Sequence, residues 1–146
     1  DIAMDFDAPG MRVPVDDNAV ADVSSSHCLE HVRELRPLMR EILRVCQVGA
    51  RVEIRVPHWG SAMAMCHDHK QVIAEAQVDH WCNSAVEYWF GGMNKRLSLY
   101  ETQYVPSHCF AEAKLLQPTW TDEQIYRYMP DSCHEVAYIM HVRGEQ

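Results

Sequence analysis

No two cysteines in this chain stand at the two-residue spacing of a zinc knuckle or a redox motif. The six present, Cys28, Cys46, Cys66, Cys82, Cys109 and Cys133, are spread evenly, several in apolar surroundings such as Val45-Cys46. They read as reduced thiols of a cytoplasmic protein rather than as a disulfide scaffold. No apolar run comes near the roughly eighteen residues of a membrane span, and no charged-then-apolar leader is visible. Positive charge is also scarce: 13 basic against 21 acidic residues leave a net charge of −8. A duplex-binding protein needs a basic face against phosphates, so nucleic acid is excluded as the expected partner. What the chain does have is histidine, nine in 146 residues, which makes its charge sensitive to pH near neutrality.

Hydrophobic periodicity orders the chain into one domain, residues 1–146. Asp1 to Asp7 reads as the tail of a strand with acids at its end. Val20 to Ser26 reads as a buried strand. Leu35 to Cys46 places Leu35, Leu38, Met39, Ile42, Val45 and Cys46 on one helical face, with Pro37 in the first turn and Gly49 where a left-handed cap is wanted. Arg33, Arg36, Arg40 and Arg44 then form a solvated stripe. Arg51 to Val56 alternates polar and β-branched residues as a strand that Pro57 ends. Further along, Glu75 to Cys82 reads as a short helix, Arg96 to Val105 as a strand and Thr121 to Tyr128 as a capped helix. Val136 to Val142 reads as a last strand, and Ala111 to Gln117 fits either state. A β-α-β order implies a parallel crossover, and the late strands can add a mixed edge.

The polar groups gather where strands end, which is where open α/β sheets bind ligands. His27-Cys28-Leu29-Glu30-His31 matches H-x-x-E-H, the inverted zincin signature. On a helix, His27 and His31 would share a face and a Zn²⁺, with Glu30 as base. The same Glu30 and His31 can equally cap and pair locally. His67-Asp68-His69 is a metal-like cluster or a solvated loop, Trp89 and Phe90 are core or a stacking platform, and Cys28 is a small packer unless its pKa is lowered.

Four fragments in order support another reading. They are Pro14 to Val23, Ser26-His27-Cys28-Leu29-Glu30-His31-Val32, Met39 to Ala50 and Val52 to His58. Together this run resembles the second half of class I S-adenosylmethionine-dependent methyltransferases of the small-molecule type 11 kind. There the pattern is approximately L-P-F-x-D-N-S-F-D-x-V, S-x-x-L-E-H, E-x-x-R-V-L-K-P-G-G and a strand ending near proline. His67-Asp68-His69-Lys70 more loosely resembles the D-P-x-H-K-R stretch of one branch.

The resemblance implies an α/β fold, an incomplete Rossmann-like methyltransferase sheet of strands three to seven with helices packed on it. It implies S-adenosylmethionine as cofactor and a small-molecule acceptor. Asp5 or Asp7 would lie near the adenine, and Ser25, Ser26 and His27 near the methyl donor. His31 and His58 would serve catalysis, with Glu30, Trp59, His67, His69 and Trp89 around the acceptor. A methyl transfer needs the nucleophile in line with the sulfonium and, where a proton leaves, a base. One family element is missing: among Gly10, Gly49, Gly60, Gly91, Gly92 and Gly144 no two make G-x-G, and no strand leads into a glycine turn. The chain therefore reads as truncated at its N-terminus. Its fourth strand then exposes an unpaired edge, and self-association into a homodimer or larger species is expected. The remaining alternatives are a non-catalytic remnant serving as an interaction module and a zinc hydrolase on His27, Glu30 and His31.

Overall fold

The structure, a computed structural model, describes residues 4–144. Strand β1 (Val20–Ser26) leads through a 3₁₀ turn (Leu29–His31) into α1 (Leu35–Val45) and then β2 (Cys46–Pro57). A 3₁₀ turn at Ala62–Met65 precedes α2 (Glu75–Asp79), which runs through a π-helical turn (His80–Ser84) to α3 (Val86–Phe90). The chain ends with β3 (Lys95–Pro106), α4 (Phe110–Leu116), α5 (Asp122–Tyr128) and β4 (Cys133–Gly144). The ambiguous segment is thus helical.

The four strands make one mixed sheet in the order β1-β2-β4-β3. β1 and β2 run parallel, joined through α1, while β4 is antiparallel to both β2 and β3. The sheet is the fold class that the sequence implies. Of the strand read at Asp1 to Asp7, residues 1–3 lie outside the described residues. Residues 5–7 form a turn in which Ala8 N donates to Asp5 O. Among the described residues no helix is long and apolar enough to cross a membrane.

One face of the sheet carries the core. Val52, Ile54, Val56, Val136, Tyr138, Met140 and Val142 alternate inward and meet the apolar side of α1, including Leu38, Met39 and Leu43. The arginines of α1 are not a solvated stripe throughout. Arg44 is half-buried and donates to Glu41, Asp17, Val13 O and Val15 O, while Arg40 donates to Trp89 O and Gly91 O. A guanidinium has five donors, so it can sew neighbouring loops to a helix where water alone was expected.

Gly49 also differs from its expected place. Cys46 is already extended behind α1, and β2 absorbs Gln47 to Gly49 as a bulge: Val20 faces Cys46, yet Asp22 faces Arg51. The glycine is left-handed as the cap would require (φ +90°), but the residue it serves is a strand.

Candidate functional site

The carboxyl end of β1 delivers the first group of polar residues. His27 takes a left-handed backbone (φ 48°), its N–H donating to Arg55 O at 3.0 Å as the last rung beside β2. That conformation stops the strand and turns the chain into a single 3₁₀ turn. Leu29, 2% exposed, anchors the turn in the core, and Glu30 is carried in beside it, also 2% exposed. The main chain of Glu30 holds a second loop, its carbonyl accepting from Lys70 N at 2.7 Å and Gln71 N at 3.2 Å.

The helical arrangement that H-x-x-E-H requires is not formed. His27 lies before a turn of three residues, and its Nε2 faces Glu135 Oε2 at 2.7 Å, on β4. Its Nδ1 lies 3.4 Å from Glu30 Oε1. His31 turns instead toward the loop after β2. Its Nδ1 is 3.4 Å from Asp68 O and 3.6 Å from Asp68 Oδ2, and its ring meets His69 edge-on, centroids 4.8 Å apart. Glu30, His31 and His69 each present a ligand atom within 4.8 Å of the others, and Cys66, Asp68 and His69 form an overlapping trio. The pairing of Glu30 and His31 with His69 spans a loop whose return path no spacing announces.

A ladder of charge crosses the polar face of the sheet from this point. Glu135 meets both His27 and Arg55, Arg55 meets Glu53, Glu53 meets Arg51, and Arg51 Nη1 lies 3.6 Å from Asp22 Oδ2. The two arginines hold the Glu53 carboxyl below the usual range. Glu135 and Arg55 escaped the sequence reading as site residues, although the polar alternation of β2 marks Arg55 as lying on that face.

His58, at the end of β2, is fully buried. Its Nδ1 accepts from Gly60 N at 3.2 Å, which places its proton on Nε2, and that atom has no hydrogen-bond partner, Glu75 Oε1 being 4.0 Å away. Tyr104 OH donates to the same Glu75 oxygen at 3.1 Å. Burial lowers the basicity of His58, and Glu75 only partly restores it. Because the folded pKa lies below the ordinary 6.5, the unfolded chain takes up the proton first as pH falls. The prediction is that stability declines as pH drops through 6.5 toward the folded pKa and that His58→Gln loses this component. Urea unfolding of both proteins at a series of pH values reads the difference directly, and parallel curves would refute it.

Beside α1, the outer edge of β1 borders an apolar trough of about 440 Å³. Val20, Val23, Ser24, Ser25 and Ser26 line one wall and Leu38 and Ile42 another, while the Oγ of Ser25 itself is closed off from solvent. Of the residues assigned to the cofactor, Ser25 and Ser26 therefore line one cavity. Asp7 does something else: its carboxylate accepts from Arg33 N at 2.8 Å and Glu34 N at 3.4 Å, capping the approach to α1. Asp5 accepts from Asp7 N and is exposed. On the acceptor list, Trp59 lies against His58 with ring centroids 5.5 Å apart, and His67 is exposed. Trp89 packs edge-on with Trp81 and Tyr88 beside the core, its carbonyl held by Arg40.

No protein-family model matches the chain, and no curated protein matches it. Solved structures do. A chain from the complex between the Haloferax volcanii Trm112 methyltransferase activator and its candidate methyltransferase aligns with a TM-score of 0.56 at 15% identity, over 99% of this chain and 61% of that one. The [4+2]-cyclase SpnF aligns at 0.54 and 12% identity, over 99% and 56%. A SAM-dependent methyltransferase from Archaeoglobus fulgidus aligns at 0.53 and 16% identity, over 87% and 61%. The chain thus spans about three-fifths of the length of these structures. At such identities the likeness is one of fold alone, and a cyclase among the matches illustrates that one fold hosts several chemistries. The sheet of this chain, with its helices, is the Rossmann-like α/β fold found in S-adenosylmethionine-dependent methyltransferases.

Proposed function

We propose that this chain is a methyltransferase-like domain that presents the acceptor side of an S-adenosylmethionine site to a small-molecule nucleophile. The observation that carries the reading is the apolar trough at the free edge of β1, one wall of which is Val23, Ser24, Ser25 and Ser26. In this reading Ser25 and Ser26 border the methionine arm of the cofactor. His31, part-exposed on the turn just beyond, takes the acceptor's proton, while the enclosed His58 holds the end of β2 in position. The trough residues by themselves, without a G-x-G main-chain cradle beside them, are expected to hold the cofactor weakly. Calorimetric titration with S-adenosylhomocysteine is expected to give saturable heat in the millimolar range and none after Ser25→Leu, which fills the trough. Absence of heat at millimolar ligand would overturn the proposal.

A second reading has its own observation. β1 is paired only with β2 among the described residues, so its other edge offers unmet N–H and C=O groups flanked by an apolar hollow. As an oligomeric module, a second copy would add its own β1 there. Light scattering then gives a dimer or larger species at micromolar concentration, reverting toward monomer in Ser24→Pro. A well-folded monomer removes this reading.

A further inference from the structure

We infer that Glu30, His31 and His69 form a site for a divalent cation of the zinc class, joining the turn after β1 to the loop after β2. Glu30 supplies the first argument. Its side chain is 98% removed from solvent, and neither carboxylate oxygen has a hydrogen-bond partner. A carboxylate taken out of water with nothing to accept from is among the costliest groups a fold can carry, and a bound cation is the usual offset. The rival offset is His27, whose Nδ1 lies 3.4 Å from Oε1. It reaches one oxygen only, outside hydrogen-bond geometry, and its other nitrogen is engaged by Glu135.

The two histidines supply the second argument. Metal-binding imidazoles turn the nitrogen that is not a ligand toward a carbonyl or carboxylate. Here His31 Nδ1 faces the carbonyl and carboxylate of Asp68, and His69 Nδ1 faces Ala64 O at 3.4 Å. Each Nε2 is thereby left as the free donor. One ligand atom of each of the three side chains already lies within 4.8 Å of one on the others, whereas ligands on a tetrahedral zinc at about 2.0–2.1 Å stand roughly 3.3 Å apart. The part-exposed histidines have only about an ångström or two to close, a rotation rather than a refolding. Two imidazoles and one carboxylate suit zinc, cobalt or ferrous ions and not calcium or magnesium, which want oxygen alone. Main-chain bonds from Lys70 and Gln71 to Glu30 O hold the two loops together at the site.

This assignment does not depend on methyl transfer, but it meets that reading at His31: a ligated imidazole is no longer a free base, so a loaded site suppresses proton removal there. The test uses the chain without a histidine tag, stripped with chelator and titrated with Co²⁺ and then Zn²⁺. One ion per chain is expected, with the visible cobalt bands of a low-coordinate site, displaced by zinc. Glu30→Gln and His69→Ala should each weaken binding by about 100-fold or more, while His27→Ala leaves it unchanged. Glu30→Gln without metal should melt no lower than the stripped parent, because it removes an uncompensated charge; this separates lost binding from lost folding. The assignment is overturned if the stripped chain takes up no cobalt at millimolar metal, or if His27→Ala abolishes uptake and His69→Ala does not.

Discussion

Replacing Lys95 by methionine is expected to lower the unfolding free energy by about 2–5 kcal/mol, because one buried and two part-buried acceptors lose their donor at once. Lys95 opens β3 and is 5% exposed. Its ammonium donates to Cys46 O at 2.6 Å, Asn18 Oδ1 at 2.7 Å and Arg44 O at 3.1 Å. Two of these acceptors are carbonyls at the end of α1, where the negative pole of the helix favours a cation. Burial lowers the basicity of the lysine, yet the three acceptors fit the ammonium form. Methionine keeps the aliphatic stem and removes only the charge and donors, so the loss reports the clamp and not the packing. Urea denaturation of the two proteins measures it; a difference under about 0.5 kcal/mol, the level of an ordinary surface change, would show the clamp contributes nothing. The clamp matters for the site because Asn18 N also donates to Arg44 O, fixing the segment that enters β1 against the end of α1.

Trp81→Ala is expected to cost about 3–5 kcal/mol, and Trp81→Phe clearly less. Trp81 leads the largest fully buried side chains and sits in the π-helical turn that joins α2 to α3. It meets Trp89 edge-on with centroids 5.8 Å apart, in the cluster that also holds Phe90 and Leu97. Alanine there leaves a cavity that the surrounding helices, each of five residues, can collapse into only partly. For a domain of this size the change corresponds to roughly 10 °C or more in melting temperature. Calorimetry checks it, and a shift below about 3 °C would mean the short helices re-pack around the gap.

Much of the fold was legible because its signals are local. The alternation of Val52, Ile54 and Val56 with Arg51, Glu53 and Arg55 marks a strand with one polar face, and the structure puts the valines and isoleucine in the core and the charges in the ladder. The Thr121 cap is formed as a full box, its hydroxyl accepting from Gln124 N while Gln124 Oε1 accepts from Thr121 N. The aromatic run ends, as its glycines suggest, at a left-handed Gly92. Such features are decided within three or four residues, by side-chain direction and cap chemistry.

The candidate site was legible in its residue types and not in its partnerships. Glu30 and His31 are in the motif that drew attention to them, but their neighbour is His69, and His27 belongs to Glu135 across the sheet. The reason is that H-x-x-E-H implies a shared face only with a helical period, and a left-handed His27 and a three-residue turn give the segment none. In the same way, the helical wheel puts Arg44 on the solvated side of α1, although Val13, Val15 and Asp17 fold back over it. No local rule carries that information, because the contact depends on where a loop returns.

What the sequence by itself determined is the order β-α-β, the two late strands and the capped helix at Thr121, the Rossmann-like class and the crowding of polar groups at strand ends. What only the tertiary structure decided is which groups meet there: Lys95 with the end of α1, His27 with Glu135, and the buried Glu30 with His69. Periodicity and capping act over one or two turns of chain. Those meetings join residues about 40 to 110 positions apart, set by the path of β2 and β4 through the sheet and of the loop that follows β2.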